Sequence, residues 1–108
     1  MAKMKLAPVH PGDILLRDFL EPLGLTPYAL AKAIGVQPPR VNDIVRHTRS
    51  ITADTALRFS KYFGTTAQFW MNLQTQYDLE VAERAAGRIL SKIPSHPTDE
   101  NGALVRAA

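Results

Sequence analysis

The sequence predicts an all-α fold of five helices, and three observations support this prediction. Apolar residues recur at three- and four-residue spacing along most of the chain, which is the period of an amphipathic helix. Threonine, proline and glycine, which favour the ends of helices, separate these segments. Residues 26–46, TPYALAKAIGVQPPRVNDIVR, comprise two short segments joined at Gly35, a pattern typical of a helix-turn-helix.

The first helix is predicted to begin at Pro11 and to end before Pro22. Its apolar side chains share one face, which we expect to cover the back of the helix-turn-helix. These are Leu15, Leu16, Phe19 and Leu20. Residues 1–9 hold two lysines and a proline without a clear period, so a mobile N-terminal arm or a short extended lead-in is expected there.

The second and third helices form the helix-turn-helix itself. Thr26 caps the second helix, which ends at Gly35 because glycine takes the left-handed conformation without strain. The third helix begins at Pro38, since two successive prolines are tolerable only in a first turn. Its inward residues are Val41, Ile44 and Val45; its outward residues are Pro39, Asn42, Asp43 and Arg46, with Gln37 and Arg40 at the leading end.

The fourth helix is predicted to begin at the Thr52 cap and to close at Gly64. The fifth begins at Thr65 or Thr66 and runs to about Arg84, with a weaker helical pattern continuing to residue 93. Residues 10–93 are therefore expected to form one domain. Residues 94–108 hold two prolines and a glycine, and we expect a flexible tail that is disordered alone or ordered by a partner.

The aromatic face of the fifth helix has two interpretations. Core packing is the usual role of such residues. The first four helices already close a small core, however, so the surplus apolar surface favours a dimer interface. The residues assigned to that interface are Phe69, Trp70, Leu73 and Tyr77.

Composition excludes several classes of function. The chain has 108 residues, a net charge of +3 and no cysteine, so disulfides and thiolate metal sites are excluded. The histidines, His10, His47 and His96, are far apart in sequence without ligand-spaced partners, so no metal, cofactor or catalytic site is expected. No run is long and apolar enough for a membrane helix or a secretory signal, and a cytoplasmic location is expected.

The outward face of the third helix is the candidate binding site. An ordinary helical hairpin with a solvated basic face is the plainer alternative, but the clustered arginines favour double-stranded DNA. Base edges are assigned to Gln37, Arg40, Asn42 and Asp43, because arginine, amides and aspartate match guanine, adenine and cytosine in the major groove. Backbone phosphates are assigned to Thr26, Arg46 and Arg49.

Four blocks of the sequence resemble HigA-type antitoxins, the lambda-repressor-like (Xre-type) antitoxins of bacterial toxin–antitoxin operons. They are HPGDIL, LAKAIGVQPPRVNDIV, RSITADTALRFSKYFGTT and FWMNLQTQYDLE. The resemblance covers about residues 10–80. It implies a compact five-helix fold, a homodimer on an inverted repeat in its own promoter, and a HigB-like toxin partner that resembles RelE-type mRNA-cleaving ribonucleases.

The sequence departs from the family pattern at two places. His47 stands where relatives usually carry glycine, so the third helix is expected to end less sharply. Pro38 and Pro39 occupy positions that often contact bases in lambda-repressor-like proteins. Base contacts are therefore expected to shift to the polar residues named above.

Three hypotheses follow: an antitoxin that also represses its own operon, a stand-alone helix-turn-helix regulator, and a helical interaction module without DNA binding. For the toxin, the acidic residues of the first helix, with the N-terminal arm, are favoured over Asp78, Glu80 and Glu83 of the fifth. The favoured residues are Asp13 and Asp18, with Glu21 nearby. Both acidic groups are expected to lie away from the third helix, so that toxin and DNA could bind together.

Overall fold

The computed structural model describes residues 6–107, and its regular elements are five helices. Helix α1 spans residues 11–23: an α-helical start (Pro11–Ile14), a π-helical middle (Leu15–Leu20) and an α-helical end (Glu21–Leu23). The others are α2 (Pro27–Ile34), α3 (Pro38–Val45), α4 (Ala53–Phe63) and α5 (Ala67–Ser91). No β-strand occurs within residues 6–107, so the predicted all-α class is confirmed.

Most helix ends follow from local side-chain chemistry, as predicted. The Thr26 hydroxyl accepts the Ala29 amide at 3.0 Å and caps α2, and Gly35 ends that helix with a φ of 76°. Thr52 caps α4 and Gly64 ends it in the left-handed conformation. Of the two threonines before α5, Thr66 is the cap.

Helix α1 differs from its prediction. Pro22 lies inside the last turn rather than beyond the helix, which ends at Leu23 with Gly24 in the left-handed conformation. The preceding turns are π-helical, with the Glu21 amide bonded to the Leu16 carbonyl. Proline lacks the N–H that an α-helix interior requires, and here it follows a segment that has already left the α-helical bonding pattern.

The core lies where the first four helices meet the beginning of α5. Its fully buried or nearly buried members are Leu15, Leu20, Leu30, Ala31, Val41, Ile44, Ile51, Ala56, Phe59 and Trp70. Helix α1 approaches α3 very closely: a Cβ added to Gly12 would lie 2.0 Å from the Ile44 carbonyl oxygen. Only glycine fits at that contact.

Helix α5 is longer than the core it packs against. Its 25 residues span about 37 Å at 1.5 Å per residue, and the molecule extends 58 Å along its longest axis. The buried residues of α5, Trp70 and Gln74, both lie in its first third. None of the helices within residues 6–107 has the length and apolar content needed to cross a membrane.

The two ends of the described chain lie outside the core. Residues 6–9 have no regular secondary structure, and the Leu6 carbonyl accepts a hydrogen bond from the Arg84 guanidinium on α5. The remainder of the predicted arm, residues 1–5, lies outside the described residues. In the exposed tail, residues 97–105 fold back in a turn that the sequence analysis did not predict. The Asp99 carboxylate accepts the amides of Asn101 and Ala103, and Gly102 supplies a positive φ.

Candidate nucleic-acid interface

Helix α3 presents a polar face to solvent, as predicted from its spacing. Val41 and Ile44 are fully buried on the opposite side, against the core. Gln37, Asn42 and Arg46 are exposed, while Asp43 and Arg40 are half-buried at the edges of the face. Pro39 is also exposed, so an apolar ring occupies part of this surface.

The three residues assigned to phosphates are all exposed, two at helix ends and one in a loop. Thr26 is exposed at the N-terminus of α2, where its hydroxyl already accepts the Ala29 amide. Arg46 follows α3 directly, and Arg49 lies in the next loop, 3.5 Å from the Asp43 carboxylate. Asp43 and Arg49 are thus paired in the free chain, although the sequence analysis gave them separate roles.

A chain of charged contacts links α3 to α4 and α2. The Asp54 carboxylate accepts from Arg40 at 2.5 Å and from Arg58 at 3.0 Å. Arg58 also donates to the Ile34 carbonyl at the end of α2, at 2.8 Å. Hydrogen bonds from Arg58 and then Arg40 lower the pKa of Asp54 below its ordinary value.

The turn after α3 contradicts two predictions. His47 has a φ of 67°, so the helix ends as sharply as it would at glycine. Its ring stacks on His10, and its Nε2 lies 2.6 Å from an Asp13 carboxylate oxygen. Asp13 therefore touches the residue that follows the recognition helix, and the expectation that it lies away from α3 is wrong.

The same turn corrects the expectation about the histidines. His10 and His47 are adjacent in space, and an Asp13 carboxylate oxygen contacts His47. The His10 Nδ1 is occupied, because it accepts the Gly12 amide at 2.9 Å. Within residues 6–107, no group of three or more histidine, cysteine or acidic side chains is placed to hold a metal ion.

Gln74 fixes the loop between α3 and α4 to α5. Its buried Oε1 accepts the Ile51 amide at 2.7 Å, and its Nε2 donates to Asp78 at 2.8 Å. Gln74, Asp54 and Arg58 were not among the site residues predicted from the sequence. For Gln74 a signal existed, since it lies one helical turn after Trp70 on the face that packs against the core.

The predicted dimer residues are divided between the core and the surface. Trp70 is fully buried, and its indole N–H donates to the Thr65 hydroxyl at 2.8 Å, so its assignment to an interface is corrected to the core. Leu73 and Tyr77 are half-buried, and the Tyr77 ring contacts that of His10 edge-on. Phe69 is exposed at 36%. Trp70 and Leu73 pack in the chain's own core, and apolar spacing alone does not distinguish core packing from an interface.

A different part of α5 carries unpartnered apolar surface. We define the distal face as the apolar residues that share one side of its second half. They are Leu79, Ala82, Ala86, Leu90 and Ile93, the last lying just beyond the helix. Leu79, Leu90 and Ile93 are each at least half exposed.

Comparison with known proteins places this geometry in a family. A helix-turn-helix family model matches residues 16–70. The chain is 52% identical over 92 residues to Virulence-associated protein I of Dichelobacter nodosus, covering 85% of each chain. It is 39% identical over 79 residues to antitoxin HigA-1 of Vibrio cholerae, covering 73% of this chain and 74% of that one.

A solved structure gives the same result in three dimensions. The structure of Pseudomonas aeruginosa antitoxin HigA with the higBA promoter superposes with a TM-score of 0.79 at 50% identity, covering 81% of this chain and 96% of that one. The chain therefore belongs to the helix-turn-helix family of HigA-type antitoxins.

Proposed function

We propose that this protein is a DNA-binding antitoxin that represses its own operon and neutralises a HigB-like, mRNA-cleaving toxin. The observation that carries the DNA part is the exposed polar face of α3 on a helix-turn-helix scaffold, in a chain half identical to an antitoxin solved with its promoter. A cytoplasmic location beside the nucleoid follows from this proposal. A stand-alone regulator is the alternative if no toxin is encoded nearby.

In this proposal α3 enters the major groove of an inverted-repeat operator. Base edges are contacted by Gln37, Arg40, Asn42 and Asp43, and phosphates by Thr26, Arg46 and Arg49. The exposure of Arg46, directly after α3, and of Arg49, in the following loop, supports their assignment to the DNA backbone, which runs along the walls of the groove. Asp43 pairs with Arg49 in the free chain. The negative charge of Asp43 reduces the attraction between Arg49 and phosphates when the protein is misplaced on DNA.

Fluorescence anisotropy with two duplexes tests the DNA proposal. One duplex carries the inverted repeat upstream of the chain's own gene, and the other has the same bases scrambled. Arg46→Ala should weaken binding to both and reduce the salt slope by about 0.9, the value for one lost phosphate contact. Arg40→Ala should cost about 1–3 kcal/mol, mainly on the operator.

Arg88→Ala is the matched control, because it removes an exposed arginine from the far end of α5. It should leave both affinities nearly unchanged. Wild-type protein that binds the two duplexes equally would overturn the DNA proposal. Equal losses on both duplexes for Arg40→Ala would remove that residue from the base-contacting set.

The homodimer is proposed to form through the distal face of α5. A two-fold operator requires two copies of α3, and a symmetric contact between identical helices supplies them. The distal face is apolar and exposed in the single chain, whereas Trp70 is already used in the core. This placement revises the interface predicted from the sequence.

The toxin site is proposed on α1, at Asp18 and the neighbouring Glu21, both of which are exposed. An RNA-cleaving toxin is expected to be basic, so carboxylates are suitable contacts. Asp13, the other predicted toxin contact, forms hydrogen bonds with His47 and is 3.5 Å from Arg17. A toxin that reached Asp13 would therefore compete with a contact that holds the end of α3.

A further inference from the structure

Among residues 6–107, Asp54 is the one carboxylate that accepts hydrogen bonds from both Arg40 of α3 and Arg58 of α4. Arg58 in turn donates to the end of α2. Asp54 lies in the first turn of α4, beside a pocket of about 250 Å³. The pocket is lined by Arg40, Arg49, Ser50, Thr52, Asp54 and Thr55. Arg40 and Arg49, both proposed to contact DNA, therefore line the same pocket as the Asp54 carboxylate.

We infer that Asp54 is a specificity-determining residue that presets Arg40 for a base edge and keeps it from serving as a general phosphate contact. The inference rests on the proposed DNA binding and extends it to a residue outside the recognition helix. Asp54 acts through Arg40, so it is a positioning residue.

The geometry allows Arg40 to bind Asp54 and a base edge at the same time. A guanidinium has five N–H donors, and the recorded contact to Asp54 uses Nη1 alone. A bidentate contact with guanine needs only two of the others. A side chain already held in one direction loses less conformational entropy when it binds.

The position of Asp54 is itself fixed from a second side. Arg58 donates to the same carboxylate oxygen and to the Ile34 carbonyl, so it ties α4 to the end of α2. The carboxylate cannot follow Arg40 freely when that residue moves. The Arg40 side chain is therefore held relative to the helix-turn-helix as a whole.

A contribution to the stability of the fold is a poor explanation for the pairing of Arg40 with Asp54. The side chains of Arg40 and Asp54 are 35% and 56% exposed, and exposed ion pairs contribute little to folding because water and salt screen them. We expect the charge of Asp54 to act instead on a second anion that approaches Arg40. A phosphate near Arg40 would meet the carboxylate at close range, whereas a guanine edge carries no net charge.

The test compares Asp54→Asn with wild type on the operator and scrambled duplexes across a salt series. Asparagine keeps the size of the side chain and removes its charge. The ratio of operator to scrambled affinity should fall by about fivefold or more, and the salt slope on scrambled duplex should grow by about one unit. Asp54→Ser is a second variant at the same exposed position, and Glu83→Gln on α5 is the matched control for loss of one negative charge.

A double-mutant cycle with Arg40→Ala separates positioning from a general charge effect. If Asp54 acts through Arg40, Asp54→Asn should not lower the ratio in the Arg40→Ala background. A ratio that is unchanged in both Asp54 variants, or that falls equally without Arg40, would overturn the inference. Wild-type protein without operator preference would instead overturn the proposed DNA binding, so the two failures are distinguishable.

Discussion

The imidazole ring of His10 stacks on that of His47, with 4.7 Å between the ring centroids and 20° between their planes. His10 caps the start of α1, and His47 is the second residue after α3. The stack therefore joins the first helix to the end of the recognition helix. Tyr77 of α5 completes the cluster in an edge-to-face arrangement, with 4.8 Å between its ring centroid and that of His10.

This cluster predicts that stability falls with pH below about 6.5. Burial, and then the nearby His47, lower the pKa of His10, while Asp13 and Asp78 oppose the shift. A base with a lowered folded pKa binds protons more readily when unfolded. The stability it contributes is complete above the unfolded pKa of about 6.5 and is lost as pH falls from there toward the folded pKa. Urea unfolding between pH 7.5 and 5, in roughly half-unit steps, would measure this slope.

Protonation of His10 would also remove the Nδ1 lone pair that accepts the Gly12 amide. His10→Asn, which retains a capping side chain, should flatten the pH slope. His96→Asn in the exposed tail is the control and should leave the slope unchanged. An identical slope in wild type and His10→Asn would assign the titration to another group.

Gly12→Ala should destabilise the chain by about 1–3 kcal/mol. The added Cβ would lie 2.0 Å from the Ile44 carbonyl oxygen, so α1 and α3 must separate. Gly87→Ala in α5 is the matched control. Nothing lies within 4 Å of the Cβ added there, and this change should stabilise the chain by about 0.5–1 kcal/mol. Chemical denaturation measures both, and equal effects would mean that the close contact is absent in solution.

Trp70→Ala should unfold the chain or cost about 3–5 kcal/mol, as expected for a large side chain removed from the core. Trp70 is fully buried against Phe59 and Phe19. Phe69→Ala, at the adjacent exposed position, should cost much less. Far-ultraviolet circular dichroism during thermal unfolding distinguishes them. A Trp70→Ala protein that stays folded yet dissociates would restore the original interface assignment.

Leu90→Lys should convert a dimer into folded monomers and weaken operator binding. The change places a charge on the distal face, where two copies are proposed to meet. Val81→Lys is the control, since Val81 is exposed on the other side of α5. Light scattering at micromolar concentration gives the mass. A monomeric wild type that binds the operator tightly would contradict the dimer proposal.

Asp18→Lys should abolish neutralisation of the toxin while operator binding persists. Co-expression with the product of the neighbouring gene, read as growth inhibition, measures the first effect. Asp13→Lys should impair both functions, because Asp13 is bonded to His47 at the end of α3. Neutralisation that survives Asp18→Lys but fails when Glu80 and Glu83 are reversed would move the toxin site to α5. A neighbouring product without toxicity would favour the stand-alone regulator.

Local chemistry made the ends of α2 and α4 predictable. Thr26, Gly35, Thr52 and Gly64 each fix a helix end through their own backbone or the next few amides, so a short stretch of sequence contains the cause. The outward direction of Asn42 and Arg46 likewise follows from the helical period.

The contacts around the candidate site could not be predicted in this way. Arg40 with Asp54, and His10 with His47, are brought together only when the helices pack, and no local pattern marks them as partners. Trp70 shows a related difficulty. An apolar period indicates that one face of a helix is covered, but the covering surface can belong to the same chain or to another copy.

The π-helical turn in α1 has a consequence for comparing this chain with its relatives. A turn closed by a hydrogen bond to the fifth preceding residue holds one residue more than an α-helical turn. A relative with a wholly α-helical first helix would span the same ends with one residue fewer. We therefore expect alignments of this family to place single-residue gaps within residues 15–20, before the start of the helix-turn-helix, and to do so without any shift in the recognition helix.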